Sequence, residues 1–313
     1  MVQLTISTAS KPPPFARGLP LTIDVAPDAT IASVKAAIVA KYPKFKSARQ
    51  RITLKGEKKP LIDETTLSDA FGGQFKDGAE LQVKDLGPQV SWRTVFVVEY
   101  FGPLLVHPLF YHFPRFWYGQ DVQHSAIQKY VYTFVLLHFI KREFETFFVH
   151  RFSQGTMPIS NIIRNSAHYH ILAGVFLAFD IYRPKYSATS PYIVNTIRNN
   201  ETFLWICAGI WAFSELSNLH THLTLRALRP EGTRKRGIPY GYGFNLVSCP
   251  NYFFEIIGWA TIAGMTNSIA GYGFLAAAIW IMSIWAAKKH KNYKKDFGKE
   301  YPRGRKMLFP FVW

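Results

Sequence analysis

The sequence predicts two fold classes in one chain: a small α+β domain over residues 1–86 and an all-α polytopic membrane domain of six transmembrane helices over residues 87–313. Three observations carry this. Up to about residue 90 apolar and polar residues mix as in a globular domain, with 13 Lys/Arg against 9 Asp/Glu in residues 1–85. From Trp92 onward, apolar runs of roughly 16–22 residues recur between short basic stretches, and about 20 helical residues cross a hydrocarbon core. A content of 48% hydrophobic and only 18% charged residues does not describe two ordinary soluble domains.

The first elements follow from periodicity. VQLTIST (2–8) and PLTIDVA (20–26) alternate apolar and polar positions around a Lys/Pro/Gly-rich turn, the pattern of a hairpin with one buried face. In DATIASVKAAIVAKYP a helix starts at a cap supplied by Asp28 or Thr30, lays Ile31, Val34 and Ile38 on one face, and stops at Pro43. RITLKG, the segment LIDETTLSDA and a last strand in AELQVKDL complete the set. The order strand, strand, helix, strand, short turn, strand resembles the ubiquitin-like β-grasp, and TLSDAFGGQFKDGAELQV is similar to its closing portion. The chain continues through Gly87 and Pro88, so conjugation through a free diglycine tail is not expected. The domain reads either as a docking module for a partner or as a cap that steadies the membrane part.

The spans are expected at about 92–112, 128–148, 166–182, 203–221, 252–267 and 269–287. Basic clusters at Lys141 to Arg151, Arg226 to Arg236 and Lys288 to Lys306 each close an even-numbered span, so all three fall on one side. With six spans that is also the side of the N-terminal domain, and the positive-inside rule places it, with both termini, in the cytosol. MVQLTISTASKPPPF has no uninterrupted apolar stretch, so no cleavable signal peptide is expected. The net charge of +17 lies mostly beside the spans, where lipid headgroups and an anionic cofactor explain it better than nucleic acid does. Cys207 and Cys249 are too few for a disulfide framework and read as small buried apolar residues.

Ionisable residues inside spans are costly and therefore point to function. Glu99 lies in the first span, Glu255 one turn into the fifth, and Glu215, Asn218, His220 and His222 crowd the end of the fourth, all toward the cytosolic side. Asn218, His222, Arg226 and Arg229 recur at spacings of three and four, one helical face, with Arg234 to Arg236 following. Amide, imidazole and guanidinium groups opening to the cytosol suit a pyrophosphate with an extra phosphate, the chemistry of a phosphorylated nicotinamide dinucleotide. A snorkelling collar is the competing account of Arg234 to Arg236. The His pairs at 168–170 and 220–222 are spaced i, i+2 and face apart on a helix, so no metal is expected. Neither a G-x-G-x-x-G turn nor a G-x-S-x-G elbow occurs, which disfavours a Rossmann site and a serine hydrolase.

These residues and the segments SWRTVFVVEYFGPL, LLHFIKREFETFFVHRFSQGTMP, SNLHTHLTLRALRP, LVSCPNYFFEIIGW and YPRGRKMLFPFVW resemble the steroid 5-alpha-reductase family over residues 92–313. VHRFSQGTMP and VSCPNYFFE are similar to its very-long-chain trans-2-enoyl-CoA reductase branch, which also carries a ubiquitin-like domain before six spans. The resemblance implies NADPH as hydride donor, an endoplasmic reticulum membrane, a long-chain enoyl-CoA substrate, and the last reduction of the fatty-acid elongation cycle, whose other enzymes are possible partners. It implies cofactor contacts at Asn218, Arg226, Arg229, Asn251, Glu255 and Tyr293, and at His222, which stands where the steroid reductases carry an Asp. Glu99 matches a catalytic glutamate and Lys141 a position retained in the branch. The tyrosine that steroid reductases pair with the glutamate is replaced by Phe139, and the branch is similar to this chain in having Tyr252, which takes the proton-donor role.

The expected chemistry is hydride at C3, a proton at C2 from Tyr252, and Glu99 either holding the Tyr252 hydroxyl or hydrogen-bonding the thioester oxygen. Lys141 is expected to steer phosphates at the cytosolic edge. The alternatives are reduction of another polarised alkene, such as a steroid or polyprenol, methyl transfer as in isoprenylcysteine methyltransferases, and a non-catalytic adaptor.

Overall fold

The computed structural model describes residues 1–152, 155–230 and 237–313. The chain divides into two compact units, Met1–Trp92 with Gln154–Asn161, and Arg93–Ser153 with Ile162–Trp313.

The first unit is built on a four-stranded sheet of β1 (Val2–Thr8), β2 (Leu21–Val25), β3 (Gln50–Leu54) and β4 (Ala79–Asp85), in the order β2-β1-β4-β3. The hairpin β1–β2 is antiparallel with Leu4 opposite Ile23, while β1 and β4 run parallel with Ile6 opposite Leu81. Parallel neighbours need a crossover, and the connection between the two hairpins contains helix α1 (Ile31–Lys41). Thr30, rather than Asp28, caps it by accepting from the Ser33 N–H at 3.4 Å. Ile31, Val34 and Ile38 are fully buried with Leu4, Ile6, Ile52, Leu67 and Leu81. Each such side chain contributes about 1.5–3 kcal/mol of transfer free energy. Leu67 opens the short helix α2 (Leu67–Ala70), capped by Thr66, whose Oγ1 accepts from the Asp69 N–H at 3.0 Å. Arg49 ties the end of β4 by donating to both oxygens of Asp85, at 2.9 and 2.6 Å. A further antiparallel pair, β5 (Gln89–Ser91) with β6 (Thr156–Pro158), belongs to the same unit, although the sequence places residues 156–158 among the helices.

The second unit is helical. Helix α3 spans Trp92–His112 and contains Pro103 and Pro108. Pro103 withdraws the N–H that would bond the Glu99 carbonyl, which loosens the helix beside that residue. After the five-residue α4 (Pro114–Tyr118) comes α5 (Ala126–Phe148), opened by a capping box between Ser125 and Gln128. One continuous helical run follows: α6 (Asn161–Ala167), a π-helical stretch His168–Phe176, and α7 (Leu177–Ile181). Its closest approach to α3 is at Gly102, where an added Cβ would lie 2.1 Å from the His170 ring. Helix α8 (Glu201–Ala227) is capped by Asn200 and packs closely on α9 (Pro250–Thr266), since a Cβ at Gly258 would meet Ser214 Oγ at 2.8 Å. Asn267, at φ 52°, makes the turn into α10 (Ile269–Phe297). The C-terminal segment is pinned beside the start of α9 by Ser248 N–H to Lys306 O and Cys249 N–H to Met307 O, at 2.9 and 3.2 Å.

Among the described residues two helices are long and apolar enough to cross a membrane, Trp92–His112 and Ile269–Glu300. Large apolar side chains also face outward elsewhere: Phe144 and Phe148 on α5, Trp205 and Leu216 on α8, Trp280 on α10. An apolar exterior around a polar interior is the arrangement that lipid as solvent demands. Both cysteines are buried and free, as the sequence suggests.

Candidate active site

The polar residues of the second unit gather into a connected buried network between α3, α5, α8 and α9. Lys141 on α5 donates to Asn218 Oδ1 on α8 at 2.6 Å and lies 2.9 Å from Glu215 Oε2. Asn218 passes the chain on, donating from Nδ2 to the Asn251 carbonyl at 2.8 Å. His222, one turn beyond Asn218, has Nδ1 3.1 Å from Glu145 Oε1, and its Nε2 faces Asn251 Nδ2 at 3.4 Å. Asn218, His222 and Asn251 are all buried. The helical spacing read from the sequence thus does bring an amide and an imidazole onto one inward face.

Other expectations change. Lys141, expected to steer phosphates, has its ammonium held within the network by Glu215, Asn218 and, at 3.6 Å, Glu145. Arg226 is exposed near the end of α8, and Arg229 lies beyond that end, because the residue before Pro230 is disfavoured in helix. Arg229 and Arg151 each donate to the other's carbonyl. His220 turns away from the network toward Tyr242, ring centroids 5.2 Å apart. The cluster Arg234 to Arg236 lies outside the described residues.

Glu99, 4% exposed, is buried on α3 in the neighbourhood of Asn165 and Arg142. Tyr252, in the first turn of α9, meets Lys289 of α10, whose Nζ lies 4.8 Å from the ring centroid. A Glu99–Tyr252 hydrogen bond is not among those of the described residues. The two groups have found other partners on different helices. Glu255, buried one turn further along α9, interacts electrostatically with Tyr252 and also with Arg142, Tyr100 and Tyr169. Tyr293, three residues before the end of the α10 apolar-to-basic run at Asp296, stacks on Tyr301 with centroids 5.5 Å apart.

Sequence reasoning missed several members. Arg142 donates to Glu145 at 2.6 Å and to the Tyr100 hydroxyl at 2.7 Å. His138 meets Glu215 at 2.8 Å. Tyr100 and Tyr169 flank Phe139, with centroids 6.3 and 6.1 Å away, so hydroxyl-bearing rings surround the position where the hydroxyl itself is lacking. The alternation of charges in KREFE was the available sign, since i, i+3 and i, i+4 pairs within an apolar helix indicate internal pairing. Glu145, His150 and His222 offer ligand atoms within 4.8 Å of one another, but the Arg142 guanidinium already supplies positive charge to Glu145. Burial, reinforced by the charge of Arg142, holds the His150 imidazole well below its ordinary range and hence neutral.

Buried carboxylates, amides and cations among apolar helices, two of them long and apolar enough to cross a membrane, mark a membrane enzyme. The chain belongs to the 3-oxo-5-alpha-steroid 4-dehydrogenase family, which matches residues 155–313, and is an oxidoreductase. It is 48% identical to a putative enoyl reductase of Schizosaccharomyces pombe, over 80% of this chain and 81% of that protein. It is 40% identical to a probable very-long-chain enoyl-CoA reductase of Caenorhabditis elegans, over 90% of this chain and 91% of that one. A very-long-chain enoyl-CoA reductase of Dictyostelium discoideum is 39% identical over 78% of each.

Reductases of this family call for a nicotinamide cofactor, and the residues fit one at an identifiable atom. Asn251 Oδ1 is buried without a hydrogen-bond partner among the described residues. A buried unpaired acceptor costs about 1–3 kcal/mol, and a carboxamide N–H would satisfy it.

Proposed function

We propose that the chain is an NADPH-dependent reductase of very-long-chain trans-2-enoyl-CoA, acting in the last step of the fatty-acid elongation cycle. The observation that carries this is the buried network Lys141–Asn218–Asn251–His222, ending on an unpaired amide oxygen, in a chain whose relatives are named enoyl-CoA reductases over most of their length. An adaptor has no use for such a centre.

The cofactor, when bound, supplies hydride to C3 of the enoyl thioester. Tyr252 gives the balancing proton to C2 from its hydroxyl, and Glu99 hydrogen-bonds the thioester oxygen on which negative charge develops. Asn251 and Glu255 orient the nicotinamide end, and Asn218 and His222 position Asn251. Arg226 and Arg229 offer forked donors for the phosphates, with Tyr293 on the adenosine side. Lys141 acts by balancing Glu215 and orienting Asn218.

In this reading residues 1–86 form a ubiquitin-like domain, which the strand order with its parallel central pair supports, and residues 87–313 the reductase domain. The latter has six spans in the endoplasmic reticulum membrane with both termini cytosolic. The acyl chain lies among the helices and the CoA head in water. Residues 1–86 serve either as a cap that steadies the membrane part or as a docking module for another enzyme of the elongation cycle.

The test is oxidation of NADPH by the detergent-purified full chain, offered a long-chain trans-2-enoyl-CoA or a steroid enone, with NADH in parallel. Turnover with the enoyl-CoA and NADPH alone is expected. A steroid reading has the family's own description in its favour, and preferential enone reduction would establish it instead.

A further inference from the structure

Lys289 lies on α10 just past the apolar stretch 269–287, at the start of its basic end, and is itself half-buried. An ammonium in such a place ordinarily takes a carboxylate partner or reaches for the interface. No ion pair to Lys289 exists among the described residues. Its partner is a phenol: the ammonium lies 4.8 Å from the centroid of the Tyr252 ring.

The approach is built into the fold. His290, the next residue, is buried and its Nδ1 is held 2.6 Å from Ser248 Oγ, which also meets the Tyr301 hydroxyl at 2.6 Å. Ser248 immediately precedes Cys249, the N-cap of α9. The register of α10 against the start of α9 is thereby fixed at the level of Tyr252. Trp285, one turn earlier on α10, closes the other side with its ring centroid 6.2 Å from that of Tyr252. Other titratable neighbours among the described residues include Cys249, Tyr293, Glu255 and His150.

A phenol that gives up a proton leaves a negative charge on its oxygen, in surroundings that solvate anions poorly. A cation without a counter-ion among the described residues, held beside that phenol beforehand, lowers this cost at the moment of transfer. We propose that Lys289 is a positioning residue for the reduction: it orients the Tyr252 hydroxyl as donor and neutralises the phenolate left when the proton has passed to C2. The proposal rests on Tyr252 being the proton donor. The phenolate regains its proton from water, so the cycle balances without a further reactant.

The test uses the full chain in detergent with NADPH and a long-chain trans-2-enoyl-CoA, in the wild type, Tyr252→Phe, Lys289→Met, Lys289→Gln, Lys289→Arg and the Tyr252→Phe/Lys289→Met double variant. Lys289→Met is expected to lower kcat by about tenfold or more and to enlarge the solvent deuterium isotope effect, with the KM for NADPH little changed. Lys289→Gln stands in if the methionine variant does not fold. Lys289→Arg should restore most of the rate, and the double variant should lose no more than Tyr252→Phe alone, because the two groups act as one unit. Wild-type kcat in both Lys289→Met and Lys289→Gln, beside an inactive Tyr252→Phe, overturns the proposal alone, as do additive losses in the double variant. Near-normal turnover in Tyr252→Phe overturns the reading beneath it.

Discussion

Asn251 and Tyr252 are adjacent in the chain yet serve different partners, because consecutive residues at the start of a helix point about 100° apart. The carbonyl of Asn251 is taken by Asn218 while its side-chain oxygen has no partner among the described residues, and the Tyr252 ring faces the Lys289 ammonium. Removing the hydroxyl should therefore leave the cofactor end undisturbed: Tyr252→Phe is expected to lose about a hundredfold or more in kcat, within the range for a general acid, while NADPH fluorescence titration gives an unchanged affinity. Asn251→Leu should show the opposite split, with about a tenfold rise in the KM for NADPH for one lost hydrogen bond and a smaller change in kcat. At this scale Asn218, His222 and Glu255 were legible in the sequence because amide, imidazole and carboxylate stand out in apolar runs, whereas Asn251 came only with the family resemblance. Arg142, Glu145 and Lys289 were not. Their charges adjoin basic stretches that read as flanks, and only the packing of α5 against α8 and of α9 against α10 turns them inward.

Among the described residues, α5 and α8 are joined by contacts of His138 and Lys141 with Glu215 and of Glu145 with His222, and Glu145 also anchors Arg142. Breaking a buried pair strands its partner, so Glu145→Gln is expected to destabilise the helical unit by about 3–5 kcal/mol, read as a lower thermal midpoint of the detergent-solubilised chain. In the sheet unit the Arg49–Asp85 pair closes β4. Burial raises the Asp85 carboxyl, but the Arg49 hydrogen bond and charge and the Gly87 N–H outweigh it, so the folded value lies below the ordinary one. The stability this adds is present above the unfolded pKa of about 3.9 and is lost as pH falls through the lower folded value. Asp85→Asn should accordingly speed hydrogen exchange in β3 and β4 at neutral pH, by about 1 kcal/mol of protection for a partly exposed pair, with the difference shrinking below about pH 4. The strands and α1 were readable because period-two alternation and a Thr cap act locally. The end of α8 and the pairing of β5 with β6 were less so, the first set by Pro230 and the second by partners more than sixty residues apart.

For the whole molecule, the basic clusters and the polar centre imply an orientation as well as a fold. A glycosylation acceptor added after Trp313 should remain unmodified in endoplasmic reticulum membranes, and one inserted beside Gly119 should be modified; the reverse pattern would invert the topology. The apolar exterior and the family were legible from composition and segments spread along the chain, whereas the route of the proton depends on which helix meets Tyr252, which no local pattern reports. The central claim, that this buried polar centre reduces an enoyl thioester with its own phenol as proton donor, meets its most direct test in the product. The full chain is incubated in D2O with NADPH and a long-chain trans-2-enoyl-CoA, and the acyl-CoA is analysed by mass spectrometry and NMR. A saturated acyl-CoA carrying a single solvent deuterium at C2, formed by the wild type and lost in Tyr252→Phe, is the expected result. An enoyl-CoA returned unreduced while a steroid enone is consumed, or the same product formed at the same rate without the Tyr252 hydroxyl, would contradict it.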